Sequence, residues 1–373
     1  SVVAGMLAVA AQQNVSGRQI YITSYGERDI FDGSEKLCIN CEQALKNALE
    51  QGWNVIHLLK LDTNLTRSFR LTERIIRFQG YNGAYTPLYH TRFGASFAPQ
   101  DFVLVTGVGV LQILNAESDN VVAAFFHSQQ EAIATWERHL DRMRLETMPL
   151  IEVYTEEEYL NSIVQIDQKL GDRFIAKHTL DIITYPIPFF EEFLRACNPN
   201  EQEVKKDMAT VSARIQAFFT QVGYYKFLNI CPMSVIEEFV RTGEMSDTCN
   251  IVYRPDPHAL VERLQYLIKL LNEYPNFELA LLNETQIRQI VPVPWMLKGD
   301  YGVFFYVQKP LDESSLLWLS INEPSLVGAF REYFMELWSQ IPPRSRDKSY
   351  IVAWLEDQVK WLIKTKCISL PSP

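Results

Sequence analysis

The feature that most constrains this chain is a strand-then-helix pattern that occurs twice. The first copy, VVAAFFHSQQEAIATWERHL, spans residues 121–140, and the second runs from SLLWLSIN into EPSLVGAFREYFMELWSQIPP. At an offset of 194 residues Ser128 matches Asn322, and both residue types are good helix N-caps. Four further pairs share one helix face: Trp136 with Phe330, His139 with Tyr333, Leu140 with Phe334, and Met143 with Leu337. The pattern predicts an internal duplication.

The duplication bears on two histidines. Ile321 stands in the second copy where His127 stands in the first, and Tyr333 stands opposite His139. An aliphatic side chain cannot transfer protons, so this strand end does not require acid-base chemistry. We interpret both histidines as packing residues, with His139 on the core-facing side of its helix. A catalytic His127 at the tip of its strand is the alternative.

The remaining pattern predicts the fold class. In the first half, the strand RQIYITSYG, the helix EQALKNALEQG and the buried strand NVIHLLKLD form a parallel βαβ unit, with Gly52 as a left-handed helix cap. The second half repeats the plan. We therefore predict an α/β fold with two similar halves, each a mixed or mainly parallel sheet flanked by helices. The predicted divisions are residues 1–150, a helical connector at 151–205 without strands, and 206–373 with a C-terminal helix.

Composition limits the partners and the compartment. The formal net charge of −10 disfavours direct contact with nucleic acid or an anionic membrane surface. The apolar stretch SVVAGMLAVAA is about half the ~20 residues that a membrane span needs. Of the six cysteines, only Cys38 and Cys41 are close together, and we interpret them as reduced, partly buried residues near a helix start. The sequence thus predicts a cytoplasmic protein.

The motifs of several enzyme classes are missing. The sequence contains no Walker loop, no G-x-S-x-G elbow and no H-E-x-x-H, and we predict neither a cofactor nor a metal site. The duplicated α/β plan resembles the phospholipase D superfamily, whose halves each carry His-x-Lys followed by an aspartate. No His-x-Lys occurs here; the nearest match, His90-Thr91-Arg92, has Phe97 at the aspartate position. We therefore predict that the chain is not an enzyme.

A second resemblance points to regulation. Four segments are similar to the C-terminal portion of bacterial helix-turn-helix transcriptional regulators. They are IYITSYGE, CPMSVIEEFVRTGE and the two segments that end in MPLIEVY and LWSQIPPRSRDKSYIVAWLEDQV. The resemblance implies an effector-sensing and dimerisation region with a catalytically dead phospholipase-D-like fold. It implies a homodimer that reaches DNA only through a helix-turn-helix domain missing from this chain. The start at Ser1, rather than Met, agrees with an excised effector portion.

Candidate contact residues follow from the strand ends and from one helix. In open α/β sheets ligands bind beyond the C-terminal ends of strands, and residues there are Tyr25, Glu27, Asp62, His90 and His127. In TRSFRLTERIIRF four arginines share one helix face, namely Arg67, Arg70, Arg74 and Arg77. They form either a contact for an acidic partner or anion, or a solvated face.

Two rival functions remain open. An uncharacterised hydrolase-like enzyme could use His90, His127 or the carboxylates around Glu27 and Asp29. It would be favoured if these groups converged in one cleft with shifted pKa values. A protein-interaction scaffold without a small ligand requires a flat surface with a conspicuous apolar patch.

Overall fold

The computed structural model divides into two compact units. The first comprises residues 1–152 with 308–313, and the second comprises residues 153–307 with 314–373. The structure describes residues 2–13, 18–26, 35–61, 65–91, 100–115, 121–246, 252–283, 285–286 and 293–366. Glu27, Asp29, Asp62 and Phe97 lie outside the described residues.

The first unit is a seven-stranded mixed sheet with helices. Its elements are α1 (Val2–Ala11), β1 (Gln19–Ser24), α2 (Glu35–Glu50), β2 (Asn54–Leu59), α3 (Leu65–Arg77), β3 (Tyr85–His90), β4 (Gln100–Val105), β5 (Gly109–Asn115), β6 (Val121–His127), α4 (Gln130–Arg144) and β7 (Thr147–Pro149). The strand order is β6-β5-β4-β1-β2-β3-β7.

The centre of this sheet is the βαβ unit that the sequence predicts. Strands β1, β2 and β3 are parallel neighbours, and β4 runs antiparallel to β1 before the meander through β5 and β6. After their first residue β1 and β2 are buried throughout, because their continuous apolar runs face covering layers on both sides. Gly52 follows α2 at φ 84°, as predicted, since a side chain disfavours this backbone conformation.

The second unit also contains a seven-stranded mixed sheet. Its elements are β8 (Glu152–Tyr154), α5 (Glu156–Gln168), β9 (Arg173–Ala176), a 3-10 turn (Ile182–Thr184), α6 (Ile187–Cys197), α7 (Glu201–Gln221), β10 (Phe227–Pro232), α8 (Met233–Thr242), the short pair β11 (Met245–Ser246) and β12 (Val252–Tyr253), α9 (Pro257–Glu273), β13 (Phe277–Leu282), β14 (Trp295–Lys298), β15 (Gly302–Lys309), β16 (Asp312–Ile321), α10 (Pro324–Gln340), α11 (Pro343–Arg346) and α12 (Lys348–Lys366). The strand order is β13-β10-β9-β14-β15-β16-β8.

Read from the opposite edge, the two strand orders are the same over six strands. Strands β1 to β6 match β9, β10, β13, β14, β15 and β16 in position. The α/β class and the two similar halves are therefore confirmed. The seventh strand differs, because β7 lies beside β3 in the first sheet and β8 lies beside β16 in the second.

The predicted connector at residues 151–205 is wrong. Strand β9 lies inside this range and pairs with both β10 and β14, so the range supplies a central strand of the second sheet. The sequence signal was weak because β9 has only four residues and its first is Arg173. A strand this short, with a charged residue in it, does not register as a periodic apolar run.

The repeated strand-helix pattern is present, with two adjustments. His127 ends β6 and Ile321 ends β16, as the alignment requires. The helix N-caps are Gln129 and Glu323, one residue later than Ser128 and Asn322. His139 is exposed on α4 and touches the Trp136 ring edge at 5.5 Å between centroids, so its predicted core-facing position is wrong.

Each unit has its own apolar core. In the first unit Tyr21, Leu58 and Leu104 pack with Leu140 of α4. In the second, a larger cluster joins α8, α9 and α12 to β10 and β13. Among the described helices, none has the length and apolarity needed to cross a bilayer.

Candidate functional site: a charged cavity in the second unit

The structure brings two predicted site residues together. Tyr25 follows β1, and its hydroxyl lies 2.9 Å from Nε2 of His90 at the end of β3. The Tyr25 backbone N–H donates to buried Asp101 at 2.7 Å, which fixes the chain where it leaves the strand. Burial raises the pKa of Tyr25 and lowers the pKa of His90. Tyr25 belongs to the apolar core, so its ring fills this strand end.

His127 lies far from this pair. Strand β6 is five positions from β3 in the sheet, which places the two strands about 24 Å apart at ~4.8 Å per position. His127 and His90 therefore do not converge in one cleft, which is the arrangement that would favour an enzyme. Glu27 and Asp62 lie outside the described residues.

A buried polar chain that sequence reasoning missed lies beneath the same strand end. His57 is fully buried on β2, with Nε2 2.8 Å from Ser24 Oγ and Nδ1 2.5 Å from the Tyr85 hydroxyl. Burial lowers the pKa of His57 to about 3, and the charges of Arg74 and Arg67 act in the same direction. The imidazole is neutral at pH 7, and both ring nitrogens are satisfied within the core. These buried hydrogen bonds between Ser24, His57 and Tyr85 therefore stabilise the first unit.

The four arginines of α3 do not form one accessible surface. Arg67 donates to the Gly26 carbonyl at 2.8 Å, and Arg74 pairs with Glu42 of α2 at 3.0 Å. Arg77 is exposed and pairs with Glu73 of its own helix, and Arg70 is exposed. Two of the four are therefore committed to holding α3 against its own unit, and a partner could reach only the other two. Cys38 and Cys41 lie in the first two turns of α2 and are not joined in a disulfide; Cys38 is half-buried and Cys41 is buried.

The second unit has a cavity at the equivalent strand end. Its volume is about 260 Å³, and it lies between α5, α6, α7, the residues that follow β9, and strands β15 and β16. Six aromatic side chains line it: Tyr159, Tyr185, Phe190, Phe193, Tyr306 and Trp318. The rings of Tyr159 and Trp318 pack with centroids 4.5 Å apart. The rule that ligands bind at the C-terminal ends of strands thus leads to the second unit, where the sequence reasoning named no residue.

Strand register relates the two strand ends residue by residue. Ile20 and Arg173 each pair with the last residue of the next strand in the sheet, β4 or β14, and are therefore equivalent. Four residues further on, Ser24 is the counterpart of Lys177. The first unit places a small hydroxyl at this position, and the second places a cation.

Charged side chains form the inner end of the cavity. Lys177, Asp181 and Arg214 line it, with Lys177 Nζ 4.0 Å from an Asp181 oxygen. Behind them Arg173 pairs with Asp181 at 3.1 Å and with Asp167 at 3.2 Å. Arg214 Nε donates to the second Asp167 oxygen at 2.8 Å.

In this cluster, neighbouring opposite charges offset the effect of burial on the pKa values of Asp181, Lys177 and Arg214. Burial alone would raise the pKa of Asp181, but the charges of Arg173, Lys177 and Arg214 hold it below its ordinary value. Burial lowers the pKa of Lys177, and Asp181 offsets part of that effect. For Arg214, the carboxylates outweigh burial and raise the pKa. The shifts therefore favour the charged forms of Asp181 and Arg214, beside a cavity with aromatic walls.

Several polar atoms of the cluster have hydrogen-bonding capacity that no described residue uses. The carboxylate oxygens of Asp181 have no hydrogen bond of good geometry from a described residue, although the Ile182 N–H and the Arg173 guanidinium both favour its charged form. Among the described residues, Lys177 Nζ and the terminal nitrogens of Arg214 also make no hydrogen bond. Lys177 Nζ lies 4.0 Å from an Asp181 oxygen and 5.7 Å from the centre of the Tyr306 ring. Polar side chains with unused hydrogen-bonding capacity beside a cavity make this cavity the candidate ligand site.

Comparison with known proteins adds little. No family model matches the sequence, and none of the curated proteins matches it. One similar solved structure is TrmBL2, an archaeal chromatin protein described with a novel mode of DNA binding, at 12% identity, a TM-score of 0.29, and coverage of 56% of this chain and 62% of that chain. Another is polyphosphate kinase from Porphyromonas gingivalis, at 13% identity, a TM-score of 0.28, and coverage of 96% and 53%.

This chain covers less than two thirds of the length of each of these two similar structures. At TM-scores this low, they carry no argument about the fold or the function of this chain. The phospholipase-D-like character of the two halves stays a prediction.

Proposed function

We propose that this chain is the effector-sensing portion of a cytoplasmic transcriptional regulator, in which a small molecule binds the cavity of the second unit and is not chemically changed. The observation that carries the proposal is the cavity of about 260 Å³ with aromatic walls and unused polar atoms at its inner end. The sequence resemblance to the effector portions of helix-turn-helix regulators supports the regulatory part. A DNA-binding domain outside this chain would make the contact with DNA.

The mechanism is a population shift. A ligand that prefers one arrangement of the helices around the cavity stabilises that arrangement by its difference in affinity. Helices α5, α6 and α7 supply most of the cavity wall, and the polar cluster joins α5 and α7 through Asp167 and Arg214. A ligand at the inner end would therefore change the contacts between these helices.

The test is thermal-shift screening of the chain against a metabolite library, with hits confirmed by calorimetry. A ligand at about a hundredfold excess over its Kd adds roughly 2.7 kcal/mol to the stability of the native state. Hits should lose their effect in Thr210→Trp, because Thr210 lines the cavity and a large side chain there occupies its space. Gln216→Trp is the matched control, since Gln216 is exposed on the same helix and does not line the cavity.

Ligands that bind Thr210→Trp as tightly as the wild type would move the site elsewhere and refute the cavity as sensor. Turnover of a hit would replace sensing by catalysis.

We further propose that dimerisation uses strand β6. This strand forms an outer edge of the first sheet, and its sequence VVAAFFH carries no Asp, Glu, Lys or Arg. Phe125 and Phe126 are 49% and 48% exposed. In the second sheet the equivalent strand, β16, pairs with β8. In the first sheet β6 is the last strand, so its outer edge is not paired within the described sheet. A second copy of β6 would satisfy the open strand edge by antiparallel pairing.

Light scattering after size exclusion tests this proposal. Phe125→Lys should convert a dimer into a monomer, because a lysine on an edge strand opposes pairing. Leu145→Lys is the control, since Leu145 is 85% exposed and lies outside β6. A monomeric wild type, or a Phe125→Lys variant that stays dimeric, would refute the β6 interface.

A further inference from the structure

The charges around the inner end of the cavity are unequal. Counted by residue type, Arg173, Arg214 and Lys177 are three basic side chains, whereas Asp167 and Asp181 are two carboxylates. At most 8% of the side chain is exposed in all of these except Lys177, which is 16% exposed. An uncompensated charge in such surroundings is costly. Basic side chains outnumber carboxylates by one at this end of the cavity, and a bound monoanion would balance this count.

The unused hydrogen-bonding capacity of the cluster includes acceptors on Asp181 and donors on Lys177 and Arg214. Lys177 Nζ offers three donors, and the terminal nitrogens of Arg214 are not engaged by Asp167, whose oxygen is held by Nε. Asp181 is already ion-paired on its inner side by Arg173. A carboxylate placed between Lys177 and Arg214 would accept charge-assisted hydrogen bonds from both, while Asp181 keeps its partner.

The rest of the cavity selects the body of the ligand. Tyr159, Trp318 and Ile163 supply apolar and aromatic surface beside the charged end. Two further carboxylates line the cavity, Glu156 and Asp207; Glu156 is exposed and Asp207 is half-buried, which places them toward the outer rim. They disfavour a second negative group at the far end of a ligand. At ~30 Å³ per water, 260 Å³ holds about nine waters, enough for one ring or a small fused pair of rings.

We propose that the cavity binds a small organic monocarboxylate with an aromatic or branched apolar body. The carboxylate accepts hydrogen bonds from Lys177 and Arg214, and the body lies against Tyr159 and Trp318. This inference rests on the proposed sensing function and assigns the chemical class of its effector.

The test uses four carboxylates of increasing size: benzoate, phenylacetate, cinnamate and indole-3-acetate. Each is compared by calorimetry with its primary amide and with an amine of similar size, on the full chain at pH 7. At least one carboxylate should bind, and its amide should bind about tenfold or more weakly, because the amide cannot form charge-assisted hydrogen bonds.

Lys177→Met tests the anchor without opening a hole, since methionine is of similar length. It should weaken carboxylate binding about tenfold or more, leave amide binding unchanged, and be rescued in part by Lys177→Arg. Lys205→Met is the matched control, because Lys205 is exposed on α7 outside the cavity. Circular dichroism and the melting temperature report whether each variant is folded.

The outcomes separate the two proposals. An amide or amine that binds as tightly as its carboxylate, or a carboxylate whose affinity is unchanged in Lys177→Met, overturns the ligand class and leaves the sensing function standing. Absence of binding by all four carboxylates also overturns the ligand class. The sensing function falls only if the metabolite library yields no ligand whose effect is lost in Thr210→Trp.

Discussion

The two halves share a strand order and differ at the C-terminal end of their first strand. In the first unit this end is filled by the Tyr25 ring, and beneath it Ser24, His57 and Tyr85 satisfy one another. In the second unit Lys177 takes the position of Ser24 and faces a cavity. The two units share one strand order, and a few side chains decide which strand end is filled and which has a cavity.

A second pair of equivalent positions also differs in how well its buried polar side chain is hydrogen-bonded. Ile22 and Ile175 are equivalent, and each pairs with a buried polar residue on the next strand, His57 in one unit and Asn229 in the other. His57 uses both ring nitrogens within the core. Asn229 donates to the Glu278 carbonyl at 3.5 Å, while its own side-chain oxygen has no hydrogen-bond partner among the described residues. The closed unit is the better satisfied one.

The largest effect is expected from the charged cluster. Arg173→Met should destabilise the protein by about 3–5 kcal/mol, because Asp167 and Asp181 would lose a shared buried partner. Urea unfolding measures the change. Arg241→Met is the control, since the Arg241–Glu238 pair is exposed and little change is expected. Equal stability of the Arg173→Met variant and the wild type would mean that the cluster does not hold the second unit together.

A change of intermediate size is expected in the closed unit. His57→Gln should cost about 1–3 kcal/mol near neutral pH, because the partners of the imidazole would be left imperfectly paired. The folded-state pKa of His57, about 3, lies below the ordinary value of 6.5. The unfolded chain therefore binds the proton more readily, so this stabilisation is present above pH 6.5 and is lost as the pH falls toward 3.

Urea unfolding of wild type and His57→Gln at several pH values between 7.5 and 4 checks this dependence. The difference between the two should shrink as the pH decreases. His139→Gln serves as control because His139 is exposed. A difference that stays constant over this range would show that the buried imidazole does not titrate in the way its surroundings imply.

The smallest effect is expected at the filled strand end. Tyr25→Phe removes the hydroxyl contact with His90 and should cost about 0.5–1.5 kcal/mol, since the ring itself stays in the core. Ligand affinity should not change, because the binding cavity lies in the other unit. Differential scanning calorimetry measures the first expectation and titration with a confirmed ligand measures the second. A loss of affinity in Tyr25→Phe would contradict the division of roles between the halves.

The fold was largely accessible from sequence, and the site was not. The duplication could be predicted because the strand-helix pattern occurs twice with the same apolar periodicity. The N-caps of the two helices, Gln129 and Glu323, are 194 residues apart. The site was missed for two reasons. Strand β9, which places Lys177, is too short to be recognised, and the cluster joins residues from α5, β9, the following turn and α7. Acidic and basic residues scattered over some fifty positions look like ordinary surface charges until packing buries them together.

The sequence by itself determined the α/β class, the duplication and the absence of a His-x-Lys motif, because apolar periodicity and short motifs are local properties of a chain. The tertiary structure decided which strand end is filled and which is open, and that Arg67 and Arg74 serve the fold of their own unit. It also decided that Lys177, Asp181 and Arg214 share one enclosure. These outcomes depend on distances between residues far apart in sequence, and burial makes those distances matter by removing the water that would otherwise screen the charges.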